Sequence, residues 1–201
     1  MRMKMRWMWS LCCALCALCV WNVMGQNRAE QLLERMKQAV EALGGYAAEF
    51  SVEAEGMTFA GTMTVDGERY QISMEDVEVW GDAEARYEVN HARREITLTE
   101  TEQESTNLLS NPARAWAMAT DAEAAVLSDT ADAIVLLLTP QQESGHIRLW
   151  LDAKRMLPTK MRYEQDGLGV DVRIKRVEAL KEPLPPYDAT RYATYELIDF
   201  R

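Results

Sequence analysis

From residue 57 to residue 99 apolar and polar positions alternate with a period of two. Met57, Phe59, Gly61, Met63 and Val65 point one way, and Thr58, Ala60, Thr62 and Thr64 the other. Beyond the turn pair Asp66-Gly67, Tyr70, Ile72 and Met74 stand against Arg69, Gln71 and Ser73. After a short run at 77–80 come Ala83, Ala85, Tyr87 and Val89 against Glu84, Arg86 and Glu88, then Ile96 and Leu98 against Glu95, Thr97 and Thr99. Period-two patterning broken by Asp-Gly and polar turns predicts antiparallel strands with one apolar and one wet face. The pattern resumes after residue 133. Residues 134–138 are apolar throughout, which predicts a strand covered on both sides. Ile147, Leu149 and Leu151, then Met161 and Tyr163, then Val170, Val172 and Ile174 alternate with polar neighbours.

Two stretches carry the helical period instead. Leu32, Leu33, Met36, Val40 and Leu43 make a stripe along residues 26–43, which Gly44-Gly45 ends. Asn111-Pro112 has the form of a cap followed by a first-turn proline and predicts a helix over 113–125. With a first strand at 46–52 and a last one at 195–200, the count is about ten strands in two meanders. One helix precedes them and one lies between. The reading is a single α+β domain: one long antiparallel sheet, strongly curved, an incomplete barrel with helices covering its concave face.

The inward faces predicted by alternation carry Phe59, Met63, Tyr70, Ile72, Met74, Tyr87, Leu98, Leu136, Leu149, Leu151, Met161 and Tyr163. A helix stripe about 10 Å wide cannot cover so many strands. An ordinary core accounts for part of this surface, and the rest needs another layer, a partner or a ligand. The mid-chain helix has few large apolar groups, Trp116, Met118 and Val126, and the pair Leu108-Leu109 precedes it in a loop; Leu108, Leu109, Trp116 and Met118 are the candidate lid residues. Such sparse anchoring suits a movable lid and equally a plain surface helix. Methionine is soft and repacks around variable ligands, and seven lie beyond residue 25.

Residues 1–25 have the layout of a secretory signal peptide. Arg2, Lys4 and Arg6 precede a short apolar core, and Val23-Met24-Gly25 offers a cleavage site near Gly25. The core is short for a membrane-spanning anchor. This leaves residues 26–201 as the working domain, exported to the periplasm. All four cysteines (Cys12, Cys13, Cys16 and Cys19) fall in that leader, so the remaining chain has no disulfide, thiolate metal site or cysteine nucleophile. Without the leader 19 basic residues face 32 acidic ones, a net of −13, which argues against nucleic acid and keeps the protein soluble. His91 and His146 lack partners at metal-ligand spacing. No phosphate loop or nucleophile elbow appears, and the Glu53/Glu55 and Glu102/Glu104 pairs suit solvated positions. The expectation is a protein that is not an enzyme and needs no cofactor or metal.

Several stretches in order resemble the LolA-like outer-membrane lipoprotein carriers of Gram-negative bacteria. They are Leu-Leu-Glu-Arg-Met at 32–36, Tyr-Ala-Ala-Glu-Phe at 46–50, Gly-Thr-Met-Thr-Val at 61–65 and Val-Trp-Gly-Asp at 79–82. Asn111-Pro112, Leu138-Thr139-Pro140 and Glu164-Gln165-Asp166-Gly167 continue the match, and the closing Ile198-Asp199-Phe200-Arg201 is similar to Bacteroidetes-type versions. The resemblance implies an incomplete barrel capped by helices, with a hydrophobic cavity for lipoprotein acyl chains. It implies a monomer that takes cargo from an inner-membrane lipoprotein-releasing transporter and passes it to an outer-membrane acceptor. One place departs. Where the carriers have an arginine followed by proline, this chain reads Asp66-Gly67-Glu68-Arg69, and alternation turns Arg69 away from Tyr70 and Ile72. The second reading is therefore a periplasmic sensor or interaction domain of the same fold, which binds a protein or lipoprotein without transport.

Overall fold

A computed structural model describes residues 28–101, 122–141, 145–165 and 167–201. Within them, helix α1 occupies 28–41 and twelve strands form one sheet. The strands are β1 (Gly45–Ala54), β2 (Met57–Asp66), β3 (Arg69–Met74), β4 (Val77–Gly81), β5 (Ala85–Asn90) and β6 (Glu95–Glu100). They continue with β7 (Glu123–Asp129), β8 (Ala133–Thr139), β9 (His146–Asp152), β10 (Pro158–Gln165), β11 (Leu168–Ala179) and β12 (Glu196–Asp199). Spatial order is β12-β6-β5-β4-β3-β2-β1-β11-β10-β9-β8-β7. Two meanders, β1–β6 and β7–β11, thus join through the β1–β11 pair. The outer strands β7 and β12 are not paired with each other, so the sheet is open.

Turn chemistry fixes the register. Glu55 and Gly56 both have positive φ, 50° and 77°. That is the conformation of a two-residue hairpin whose twist matches its strands. It pairs Ala54 with Met57 and sets Phe50 opposite Gly61. Gly67, with φ 61°, opens the next hairpin, in which Asp66 pairs with Arg69. The tight turn therefore sits on Gly67-Glu68, one residue beyond the predicted pair. Gly44, with φ 75°, ends α1 in the left-handed conformation usual after a helix.

Three apolar clusters hold the sheet. In the first, Ala29, Leu32 and Met36 of α1 pack on Ile134, Leu136, Leu138, Ile147, Leu149 and Leu151. The second joins Phe50, Val52, Tyr70, Ile72, Val79 and Val172. Met161 packs against both clusters. The third lies on the other side of the sheet: Trp80, Val89 and Ile96 beneath Leu184 and Tyr192 of the C-terminal segment.

Three expectations are corrected. Residues 123–125, predicted as the end of a helix, are the start of β7. Its pairing with β8 overrides the helical preference of an alanine-rich stretch. The strand at 134–138 is unequally covered on its two sides: Ile134, Leu136 and Leu138 are buried toward α1, and Val135 and Leu137 are only half-buried on the other side. The sheet is not wholly antiparallel, because β12 runs parallel to β6. Helix α1 covers part of one face, and most of the second expected helix, residues 113–121, lies outside the described residues.

Candidate functional site

Register across the strands defines one continuous apolar surface. Starting at the β7 edge, Ala124 pairs with Leu138 and Val126 with Leu136. Leu136 opposes Leu149, Leu149 opposes Met161, and Met161 opposes Val172. Val172 opposes Val52, Val52 opposes Phe59, Met63 opposes Ile72, and Ile72 opposes Val79. Paired residues project from the same side of a sheet. These side chains therefore form one face spanning nine neighbouring strands, from β7 to β4. Helix α1 packs on the β7–β10 part of it, and we name it the helix face.

Ten of the twelve predicted lining residues stand on this face: Phe59, Met63, Tyr70, Ile72, Met74, Leu136, Leu149, Leu151, Met161 and Tyr163. Tyr70, Ile72, Leu136, Leu149 and Leu151 are buried, and the other five are half-buried. Tyr87 and Leu98 do not stand there, which corrects the alternation reading. Tyr70 pairs with Gly81 and Gly81 with Arg86, so the helix face continues through Arg86 and Glu88, and Tyr87 projects from the far side. Leu98 pairs with Tyr87 and follows it. On the far face the Tyr87 ring stacks on Tyr187, with centroids 3.9 Å apart and planes 12° off parallel. The candidate lid residues Leu108, Leu109, Trp116 and Met118 lie outside the described residues. The predicted lining omits Phe50, Val52, Val79, Ile134, Leu138, Ile147 and Val172, which the structure places in the same clusters, although Ile147 and Val172 already stood in the alternating runs.

The helix face changes character at β5. There Arg86, Glu88 and Asn90 replace the valines and isoleucines, and Thr99, Thr97 and Glu95 continue the rows on β6. The Arg86 Nη2 donates to Glu88 Oε2 at 2.7 Å.

On the far face the chemistry is polar and structural. Glu78 accepts hydrogen bonds from the Tyr192 hydroxyl at 2.6 Å and from Trp80 Nε1 at 3.1 Å, and His91 Nε2 lies 3.3 Å from its other oxygen. Burial pushes the Glu78 carboxyl up, but these three partners outweigh it and hold it below the usual range. Burial and the bond to Glu78 push the Tyr192 hydroxyl up to about 12. This cluster ties the C-terminal segment to β4. Asp66 adds a second tie by accepting from the Leu184 backbone N–H at 3.0 Å and from Arg69 at 3.1 Å. Arg69 stands on the far face, as alternation indicated. His146 pairs with Glu164 at 2.9 Å. Among the described residues no three His, Cys, Asp or Glu side chains could hold a metal ion, and no helix is long and apolar enough to cross a membrane.

No protein-family model matches the chain, and no curated protein matches it in sequence. In structure it is similar to an uncharacterized conserved protein from Thermus thermophilus, with a TM-score of 0.54 and 6% identity over 83% of this chain and 98% of that one. It is also similar to a domain from Vibrio parahaemolyticus classed with outer membrane lipoprotein-sorting proteins (TM-score 0.49, 8% identity, 84% of this chain and 97% of that one). A further match is in the Pseudomonas aeruginosa MucA/MucB complex (TM-score 0.47, 15% identity, 85% of this chain and 63% of that one). The likeness is one of fold, and that fold agrees with the resemblance to the LolA-like carriers.

Proposed function

We propose that this protein is a periplasmic carrier that holds lipoprotein acyl chains on the helix face and moves them from the inner to the outer membrane. The observation that carries the reading is the nine-strand apolar face. Its β7–β10 part meets α1; beyond it Phe50, Ile72 and Val79 are buried, and Phe59, Met63 and Met74 are half-buried. An acyl chain of about fifteen methylenes represents roughly 12 kcal/mol of transfer free energy. A water-filled periplasm can be crossed only if that chain is held against apolar surface, and a sheet face of this extent supplies it. Half-buried Met63, Met74 and Met161 line the surface with side chains able to repack around chains of different shape. The activity is carriage, without covalent chemistry.

Depletion separates this reading from a sensor or interaction role. A carrier leaves lipoproteins stranded in the inner membrane when it is removed, and fractionation of depleted cells reads that directly. Normal lipoprotein distribution, together with capture of a single protein by crosslinkers at Leu149, sinks the carrier reading in favour of the interaction domain.

A further inference from the structure

The charges of this chain are unevenly spread. Residues 146–178, which form β9, β10, β11 and their turns, carry eight Lys and Arg against five Asp and Glu, whereas the whole chain has 22 against 32. This part is therefore net positive within a protein of net charge −10. A local excess of one sign steers partners of the other sign toward it.

Register gathers several of these cations on the far face. One row runs Val135, Trp150, Lys160 and Arg173, on β8 to β11 in turn, and the next runs Leu137, Arg148, Arg162 and Asp171. Trp150 lies among cations, with Lys160 Nζ 4.9 Å and Arg148 Cζ 5.9 Å from its ring centroid. Asp171 pairs with Lys160 at 2.6 Å and with Arg162 at 2.9 Å, and Glu164 pairs with Arg162 at 2.9 Å. These pairs fix two of the cations in place. Arg148 and Arg173 form no ion pair among the described residues, so their charge is available to a partner. Arg173 is exposed, and Val135, Leu137, Arg148 and Trp150 are half-buried. Trp and Arg on a rigid, partly apolar surface are the residue types that dominate binding energy between proteins.

We propose that the far face of β8–β11 docks an acidic segment of a partner protein, with Trp150 against an apolar side chain and Arg148 and Arg173 meeting carboxylates. A protein segment fits this face better than an anionic bilayer does. Asp171, Glu164 and, across from Asp171 on β1, Glu53 interrupt the cations, and a continuous layer of phosphates would meet all three. The remainder of the chain is strongly negative and is repelled by such a layer. Trp150 is half-buried among charged side chains and presents no apolar tip to insert between lipids. The inference is independent of what the helix face holds.

The test measures binding of the purified protein to a labelled random copolymer of glutamate and tyrosine, to polyglutamate, and to phosphatidylglycerol vesicles. The unaltered protein binds the copolymer more tightly than polyglutamate. Its affinity falls about fivefold or more between about 0.01 M and about 0.1 M salt, as the Debye length shrinks from about 30 to about 10 Å. Arg148→Glu combined with Arg173→Glu weakens copolymer binding about tenfold or more. Arg35→Glu combined with Arg93→Glu makes the same change of net charge at exposed positions elsewhere and alters it less than about threefold. Trp150→Ala removes the preference for the copolymer over polyglutamate. Urea titration checks folding, and Arg173→Glu alone, at an exposed position, serves if the double variant is unfolded. Equal losses in the two double variants, or no copolymer binding at low salt, overturn the inference. Vesicle binding that exceeds copolymer binding and is lost in Trp150→Ala overturns it in favour of a membrane. Self-association in sedimentation that the Arg148→Glu, Arg173→Glu pair abolishes overturns it in favour of a second copy of this chain.

Discussion

Tyr87→Ala tests the inversion of the sheet at β5. The Tyr87 ring stacks on Tyr187 at 3.9 Å, on the side of the sheet away from α1. An aromatic pair of this geometry contributes about 0.5–1.5 kcal/mol beyond its buried area. Full truncation of a wholly buried aromatic costs about 3–5 kcal/mol, so loss of this half-buried ring should cost about 2. A double-mutant cycle with Tyr187→Ala isolates the stack, and the expected coupling is about 1 kcal/mol. Urea denaturation of the four proteins measures it, with the slope unchanged if the unfolded states are alike. The same proteins are then tested with a fluorescent fatty acid. Tyr87→Ala leaves probe affinity within about twofold, whereas Ile72→Ala, on the helix face, weakens it about thirtyfold by the loss of about 2 kcal/mol. Coupling near zero refutes the stack. A loss of probe affinity in Tyr87→Ala as large as in Ile72→Ala refutes the placement of Tyr87 on the far face.

Other outcomes follow from the same structure. Leu136→Ala, at a fully buried position between α1 and the sheet, lowers stability by about 3 kcal/mol in urea titration. Gly81→Ala drives a methyl group into the Tyr70 ring and costs about 1–3 kcal/mol, read by the same titration, together with a change in near-ultraviolet dichroism. The Glu78 carboxyl is held low in the fold, so the stability it contributes is present above its unfolded value of 4.5 and is lost as pH falls through the lower folded value. The Tyr192 hydroxyl behaves in the opposite sense: its contribution is present below pH 10 and is lost as pH rises toward about 12. Tyr192→Phe therefore flattens the alkaline limb of a stability–pH profile, and Glu78→Gln flattens the acid limb.

The strands of the first meander were legible because each hairpin alternates cleanly and ends in turn residues. Which face each strand shows to its neighbour was not. Alternation fixes the phase within one strand, while phase between strands depends on turn length. At β4 the two faces are both buried, by Val79 on one side and Trp80 on the other, so the pattern is ambiguous there. The Asp82 carboxylate, accepting from the Glu84 and Ala85 backbone N–H groups, sets a loop that pairs Gly81 with Arg86. That pairing puts Tyr87 and Leu98 on the far face. The cover that Tyr87 finds there, with Leu184, Tyr187 and Tyr192, comes from a segment about a hundred positions away in sequence, which periodicity cannot join to it. The same distance hid the parallel pairing of β12 with β6. β7 was misread for a different reason: Glu-Ala-Ala-Val-Leu has good helix formers, and only the β8 edge makes it a strand.

Native mass spectrometry of the protein purified from cells tests the central claim most directly, because it weighs whatever the apolar face holds. The account predicts adducts of acyl-chain mass that Ile72→Ala and Leu149→Ala reduce and Tyr87→Ala does not. Bare protein in every preparation, even after incubation with lipoprotein or fatty acid, contradicts it.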